Sequence, residues 1–228
     1  MKLSTCIVLI AFMLAGFSSL HAQHYYRIEC DISIKNKVAG EDGMLVLGRA
    51  YYDKVAGKVV FDIRFPEKEV WVIEDTLVSV YKDGETNQTR GMEQYTQATI
   101  FHLILEGDLN NFGLQGTTYT MDAVRRDEEM VITTWVPRPG NQALGKIHTS
   151  TIDGALHGVV FENAAGKVIG RQLFRDYQTI RGLQVPKEII QVFYREEAEE
   201  YQVYSFSNIR INYEGNEDFY NYRGPGRR

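Results

Sequence analysis

The sequence predicts a mainly β protein, α+β only at the margin, built as one antiparallel sheet curled on itself. Three observations carry this. Apolar residues recur at every second position through most of the chain, which is the period of a half-buried strand. Roughly eleven such segments follow one another, separated by clusters of Gly, Pro, Asp and Asn. One stretch alone, around Ile100, Phe101, Leu103, Ile104 and Leu105, crowds its apolar residues onto a helical surface. Consecutive strands with one apolar face each leave a concave apolar surface when the sheet curls. The inserted helix is the natural cover for it.

The elements follow in order. Residues 1–22 begin Met1-Lys2, continue through an apolar run over 6–17 and end Ser18-Ser19-Leu20-His21-Ala22. A basic start, a short apolar run and a small residue before a cut make a secretory signal peptide, with cleavage near Ala22. The run is shorter than the ~20 apolar residues that span a bilayer. Cys6 opens the run instead of following it, so it does not read as a lipid-attachment cysteine. Export is the expectation, and it makes nucleotide-driven and cytosolic redox chemistry poor readings.

Residues 25–34 alternate through Tyr26, Ile28, Cys30, Ile32 and Ile34 and read as a strand. A turn at 39–43 leads to a second strand over 44–52. The third, 58–65, sets Val59, Phe61 and Ile63 against Asp62 and Arg64, and Pro66 ends it. Strands over 69–74 and 77–82 are joined by a tight turn at Glu74-Asp75-Thr76. Residues 92–112 read as the helix, weakened at Gly107. Beyond it, 119–125 and 130–136 form a hairpin around Asp127-Glu128-Glu129. Strands over 157–162 and 168–177 flank the Asn163-Ala164-Ala165-Gly166 turn, and 186–195 and 200–212 make a last pair. The chain carries no repeat, low-complexity segment or internal linker. It therefore divides into a signal peptide (1–22), one domain (23–212) and a C-terminal tail (213–228).

Catalytic and metal-binding motifs do not emerge. Processing leaves a single cysteine, Cys30, in an alternating strand, where it reads as a small buried hydrophobe. His24, His102, His148 and His157 have no partner at metal-ligand spacing. His102 reads as a packed or rim histidine. No nucleophile elbow, His-Glu-x-x-His run or phosphate-binding glycine loop occurs. The acidic pairs Glu128-Glu129, Glu196-Glu197 and Glu199-Glu200 fall at turns and read as solvated. A net charge of −5 gives no footprint for nucleic acid, and the only basic cluster is the extreme C-terminus, 223–228. The expectation is a protein that is not an enzyme, with no metal and no cofactor.

Several ordered segments resemble a known family. Val59-Val60-Phe61-Asp62-Ile63-Arg64-Phe65-Pro66 precedes Val70-Trp71-Val72-Ile73-Glu74-Asp75-Thr76-Leu77-Val78-Ser79-Val80-Tyr81. The apolar helix over 100–108 follows. Residues 177–189, 206–212 and then Phe219 complete the set. This order resembles the periplasmic lipoprotein carriers of the LolA-like superfamily, in the divergent form of outer-membrane lipoprotein-sorting proteins. The family's better-known members carry an early Arg-Pro pair whose arginine helps hold the lid. Here Ala50 follows Arg49, so that role is not carried over.

The resemblance implies an unclosed barrel whose concave face takes up acyl chains beneath a helical lid. It implies a periplasmic location, lipoprotein or acyl-lipid cargo, envelope proteins as donor and acceptor, transient contact with a membrane surface, and a monomer. The groove candidates are Val59, Phe61, Ile63, Phe65, Val70, Val72, Leu77 and Val80. The lid candidates are Ile100, Phe101, Leu103, Ile104 and Leu105. Ordinary core packing is the competing reading for each. A second functional reading keeps the fold, fills the core and makes the protein an envelope protein-binding or sensing module, docking through Phe219-Tyr220-Asn221-Tyr222. A third, a hydrolase, would need titratable residues to converge in a cleft.

Overall fold

A computed structural model describes residues 24–38, 42–74, 77–83, 85–90, 95–195 and 199–224. The expected export segment lies outside the described residues, as do parts of the turns at 39–43 and 74–76 and the Glu196-Glu197 pair.

Six strands come first: β1 (Arg27–Val38), β2 (Met44–Asp53), β3 (Lys58–Phe65), β4 (Glu69–Glu74), β5 (Leu77–Lys82) and β6 (Glu85–Arg90). Helix α1 (Tyr95–Glu106) and a 3-10 turn (Leu109–Asn111) follow. Seven more strands are β7 (Tyr119–Asp127), β8 (Met130–Pro137), β9 (Leu144–Ile152), β10 (Ala155–Asn163), β11 (Val168–Ile180), β12 (Leu183–Tyr194) and β13 (Glu199–Ile211), and a one-turn helix α2 (Glu217–Tyr220) ends the fold.

All thirteen strands form one antiparallel sheet in the order β6-β5-β4-β3-β2-β1-β13-β12-β11-β10-β9-β8-β7. The two margins, β6 and β7, are consecutive in sequence and do not pair, so the barrel stays open. The chain travels between them through α1, which packs across the concave side against β1 and β12.

The mainly β, open-sheet expectation holds, with two strands more than the alternation predicts. β6 reads Glu-Thr-Asn-Gln-Thr-Arg and has no apolar residue to alternate; its ladder to β5 makes it a strand. β9 carries His148, Thr149 and Ser150 where apolar residues would mark a core face. Buried Thr149 fills such a position because Trp135 Nε1 donates to its Oγ1 at 3.0 Å. The helix is shorter than its apolar stretch. Gly107 takes φ +76. The Gly107 and Asp108 amides then donate to the carbonyls of Ile104 and Leu103 at 3.1 and 3.0 Å, the Schellman pattern that closes a helix.

Period two sorts the side chains into two clusters. The concave face holds the larger core, with Ile28, Cys30, Ile32, Val59, Phe61 and Phe174 among its buried members. Burial pushes the Cys30 thiol up, away from the thiolate a nucleophile needs. Register shifts bend the sheet around this core. At the β2–β3 shift a Cβ on Gly48 would stand 2.4 Å from the Asp62 carbonyl oxygen, and at the β9–β10 shift one on Gly145 would stand 1.8 Å from that of Glu162. Only glycine lets the strands approach so closely.

The outer face carries a smaller cluster of Tyr51, Val60, Val72 and Tyr220. Its centre is Glu29, fully buried at 0% exposure. Glu29 Oε1 receives Arg49 at 3.0 Å and Arg210 at 2.5 Å, and Oε2 receives Asn216 Nδ2 at 2.9 Å and the Tyr220 hydroxyl at 3.3 Å. The C-terminal segment is thereby tied to the sheet. Phe219 stacks on Tyr51 at 4.5 Å, Arg27 pairs with Glu217, and Lys58 Nζ donates to the Tyr222 carbonyl at 3.1 Å. Residues 216–222, part of the segment set apart by the sequence reading as a tail, pack on the outer face.

Glu29→Ala removes the shared acceptor of Arg49, Arg210, Asn216 and Tyr220, but both arginines keep access to water. It is therefore expected to lower the unfolding free energy by about 1–3 kcal/mol, read from urea denaturation. Tyr220→Phe, which removes one long hydrogen bond, is expected to cost under about 1 kcal/mol.

Candidate functional site

The concave face is not filled evenly. A cavity of about 280 Å³ opens where β1, β2, β3, β4, β5 and β13 come together. Ile34, Val46, Phe61, Trp71, Ile73 and Val78 line its apolar part. Met44, Val80 and Tyr204 extend the lining, and Asn36, Glu69 and Gln202 bring polar groups to it. Alternation explains the set: 34 and 36, 44 and 46, 69, 71 and 73, 78 and 80, 202 and 204 are same-face neighbours along their strands.

Trp71 meets Phe61 edge-on at 6.4 Å, and its Nε1 donates to Glu69 Oε2 at 2.7 Å. The Tyr204 hydroxyl donates to Gln202 Oε1 at 2.6 Å. Both bonds let an aromatic side chain turn its apolar body to the cavity while its polar tip is satisfied.

The structure divides the groove candidates. Phe61 and Val80 line the cavity. Val59 and Ile63 lie in the buried core on the same face. Val70 and Val72 are corrected: both pack on the outer face in the Tyr51–Tyr220 cluster. Val72 stands opposite Val60 in the β3–β4 ladder, and Val60 is itself an outer-face residue. Leu77 also lies on the outer side, lining a crevice with Ser79, Tyr220 and Tyr222. Phe65, at the end of β3, is 47% exposed and reaches neither core cluster. The sequence reading chose Val70, Val72, Leu77 and Val80 from this stretch and left out Trp71, Ile73 and Val78, which face the concave side. Strict alternation would have separated Trp71, Ile73, Val78 and Val80 from Val70, Val72 and Leu77.

The lid candidates Ile100, Phe101, Leu103, Ile104 and Leu105 are all buried in the concave core. Phe101 packs against Tyr52 at 6.1 Å and Phe206 at 5.6 Å. Two polar contacts hold the exposed side of α1. Tyr52 Oη and His102 Nδ1 are 3.0 Å apart, and Lys54 Nζ meets Glu106 Oε1 at 2.8 Å. Burial raises the Tyr52 hydroxyl to about 12, so it stays protonated at neutral pH. The Lys54 hydrogen bond holds the Glu106 carboxyl below its ordinary value. Arg49 lies on the opposite face with Glu29.

Among the described residues no group of three or more His, Cys, Asp or Glu could hold a metal ion. One row of titratable groups does form. Thr134 Oγ1 meets His148 Nδ1 at 3.0 Å, and His148 Nε2 meets Glu162 Oε1 at 3.1 Å. The row crosses β8, β9 and β10 as a cross-strand hydrogen-bond network.

Solved structures share this architecture. A LolA superfamily protein from Nitrosomonas europaea aligns with a TM-score of 0.57 at 12% identity, over 86% of this chain and 90% of that one. A Vibrio parahaemolyticus domain named for outer membrane lipoprotein sorting gives 0.58 at 12% identity, with the same coverage. The chain has a LolA-like fold. A DUF1329 family protein from Desulfovibrio piger extends the similarity to 96% of this chain and 97% of that one, with a TM-score of 0.57 at 11% identity. The sequence matches no protein-family model and no curated protein. The LolA-like fold thus stands on three-dimensional likeness.

The Lys54–Glu106 pair makes the seating of α1 pH-dependent. A carboxyl held low in the folded state contributes stability above its unfolded value, near 4.5, and loses it as pH falls through the folded value. Melting temperatures of the wild type and Lys54→Met should therefore differ at about pH 6, and the difference should shrink as the pH falls below 4.5.

Proposed function

We propose that the protein is an exported carrier that holds an acyl chain, free or attached to a lipoprotein, in the concave cavity beside β4 and β5. The observation that carries this reading is the cavity itself: mostly apolar walls, an accessible opening and no nucleophile or cation among its described lining residues. Its volume of about 280 Å³ lies just below the ~300–1,000 Å³ typical of ligand sites and suits one chain end better than a whole lipid. Each buried methylene contributes about 0.8 kcal/mol, so such a surface holds a chain without any catalytic group. On this reading the signal-peptide pattern of residues 1–22 delivers the protein to the periplasm. The LolA-like fold agrees with cargo moving toward the outer membrane between an envelope donor and acceptor, with brief contact at a membrane surface. The carrier works as a monomer and uses neither metal nor cofactor.

The protein-binding alternative is weakened by one observation. Its proposed docking segment, Phe219 to Tyr222, is spent on packing against Tyr51 and Tyr81.

Native mass spectrometry of the mature chain, purified from envelope extracts without detergent, tests the proposal. The expected result is a bound mass that dissociates as a lipid or acylated peptide. Val80→Trp, which fills the cavity from its edge, should reduce uptake of a fluorescent acyl probe at least tenfold while the melting temperature changes little. A wild-type chain that stays free of ligand when acyl lipids are added overturns the proposal.

A further inference from the structure

The polar end of the cavity is chemically one-sided. Asn36 Oδ1 is buried and receives no hydrogen bond. The other polar groups there are already engaged. Glu69 accepts from Trp71 Nε1, and Gln202 accepts from Tyr204 and donates through Nε2 to Glu200 Oε1 at 2.9 Å. Lys82 lies 3.6 Å from Glu69 and also pairs with Glu67, so two carboxylates share one ammonium. A buried acceptor with no donor is a standing penalty that a ligand N–H or O–H removes. A ligand anion would meet the Glu69 carboxylate with no cation on the lining.

We infer that the cargo's head, where it leaves the cavity, is an uncharged hydrogen-bond donor, an amide or a hydroxyl, and not a carboxylate or a phosphate. This rests on the reading of the cavity as an acyl-chain site. Asn36 supplies the acceptor, and Glu69 sets the discrimination against anions. The acyl group enters methyl end first, toward Phe61, Ile73 and Val78. Its head then stays at the polar end beside Asn36.

Isothermal titration with four probes of equal chain length tests the inference: an N-dodecanoyl glycinamide, 1-monododecanoylglycerol, methyl dodecanoate and dodecanoate. One added hydrogen bond to an otherwise unsatisfied buried group corresponds to about tenfold in affinity. The amide or the glycerol ester should bind about tenfold tighter than the methyl ester. Dodecanoate should be the weakest of the four. A stronger amide arm identifies an acylated polypeptide as the source, and a stronger glycerol arm identifies a glycerolipid. Asn36→Leu should bring the donor probes down to the methyl ester and leave the methyl ester itself unchanged. Glu69→Gln should raise dodecanoate binding without changing the methyl ester. Equal affinity across the four probes, or dodecanoate binding tightest, overturns the inference while leaving an acyl-chain site in place. Binding of none of them removes the acyl-chain reading and this inference with it.

Discussion

The ladder between β1 and β13 is the constraint on which the rest of the structure depends. Every other strand pair joins sequence neighbours, so the two runs β1–β6 and β7–β13 could each form as a local meander. Only the β1–β13 pairing fuses them into one sheet with one concave side. Loop closure over most of the chain opposes that pairing, and side-chain contacts along the seam reinforce it. Asn212 accepts from the Tyr26 and Arg27 amides and donates to the His24 carbonyl. Asn208 donates to Asp31. Buried Glu29 of β1 and half-exposed Arg210 of β13 form an ion pair at the centre of the outer face. The fusion of the two halves and the anchoring of the C-terminal segment are therefore one interaction network.

Much of this was legible in the sequence, because period two survives in most strands. The failures have physical causes. β6 lies at a margin, where its described side chains, Glu85, Thr86 and Asn87, are exposed and nothing selects apolar residues at those positions. β9 replaces an apolar core position by a threonine whose hydroxyl is satisfied by a tryptophan in the next strand, a partnership invisible in either segment alone. In β4 and β5 both faces are apolar, because each face has a cluster to serve. Composition alone then misassigned Val70, Val72 and Leu77. Glu29 sits between Ile28 and Cys30 and looks like the solvent half of an alternating strand. Its burial follows from Arg49, Arg210, Asn216 and Tyr220 converging from three remote segments.

The candidate site inherits its form from the same two-sidedness. Met44 and Val46 of β2 reach the cavity, whereas Tyr52 and Lys54, farther along the same strand direction, hold α1. Eight residues separate the two pairs, which at about 3.3 Å per residue is roughly 26 Å. The cavity and the polar attachments of the helix thus occupy different ends of the concave face. Ile100, Phe101, Leu103, Ile104 and Leu105 seat α1 in the core independently of those polar attachments.

An open sheet also has two margins of unsatisfied backbone amides and carbonyls, each able to template a strand from another molecule. Both carry sequence features that discourage this. The β6 margin offers no apolar side chain to a newcomer and is flanked by Glu85 and Arg90. The β7 margin carries Asp122, Arg125, Arg126 and Asp127 beside exposed Met121 and Val124, and its register breaks between Met121 and Ala123. A flat, greasy border would invite stacking of sheet upon sheet into fibrils. A polar border and a kinked, charged one let the sheet keep its gap without becoming a nucleus for aggregation.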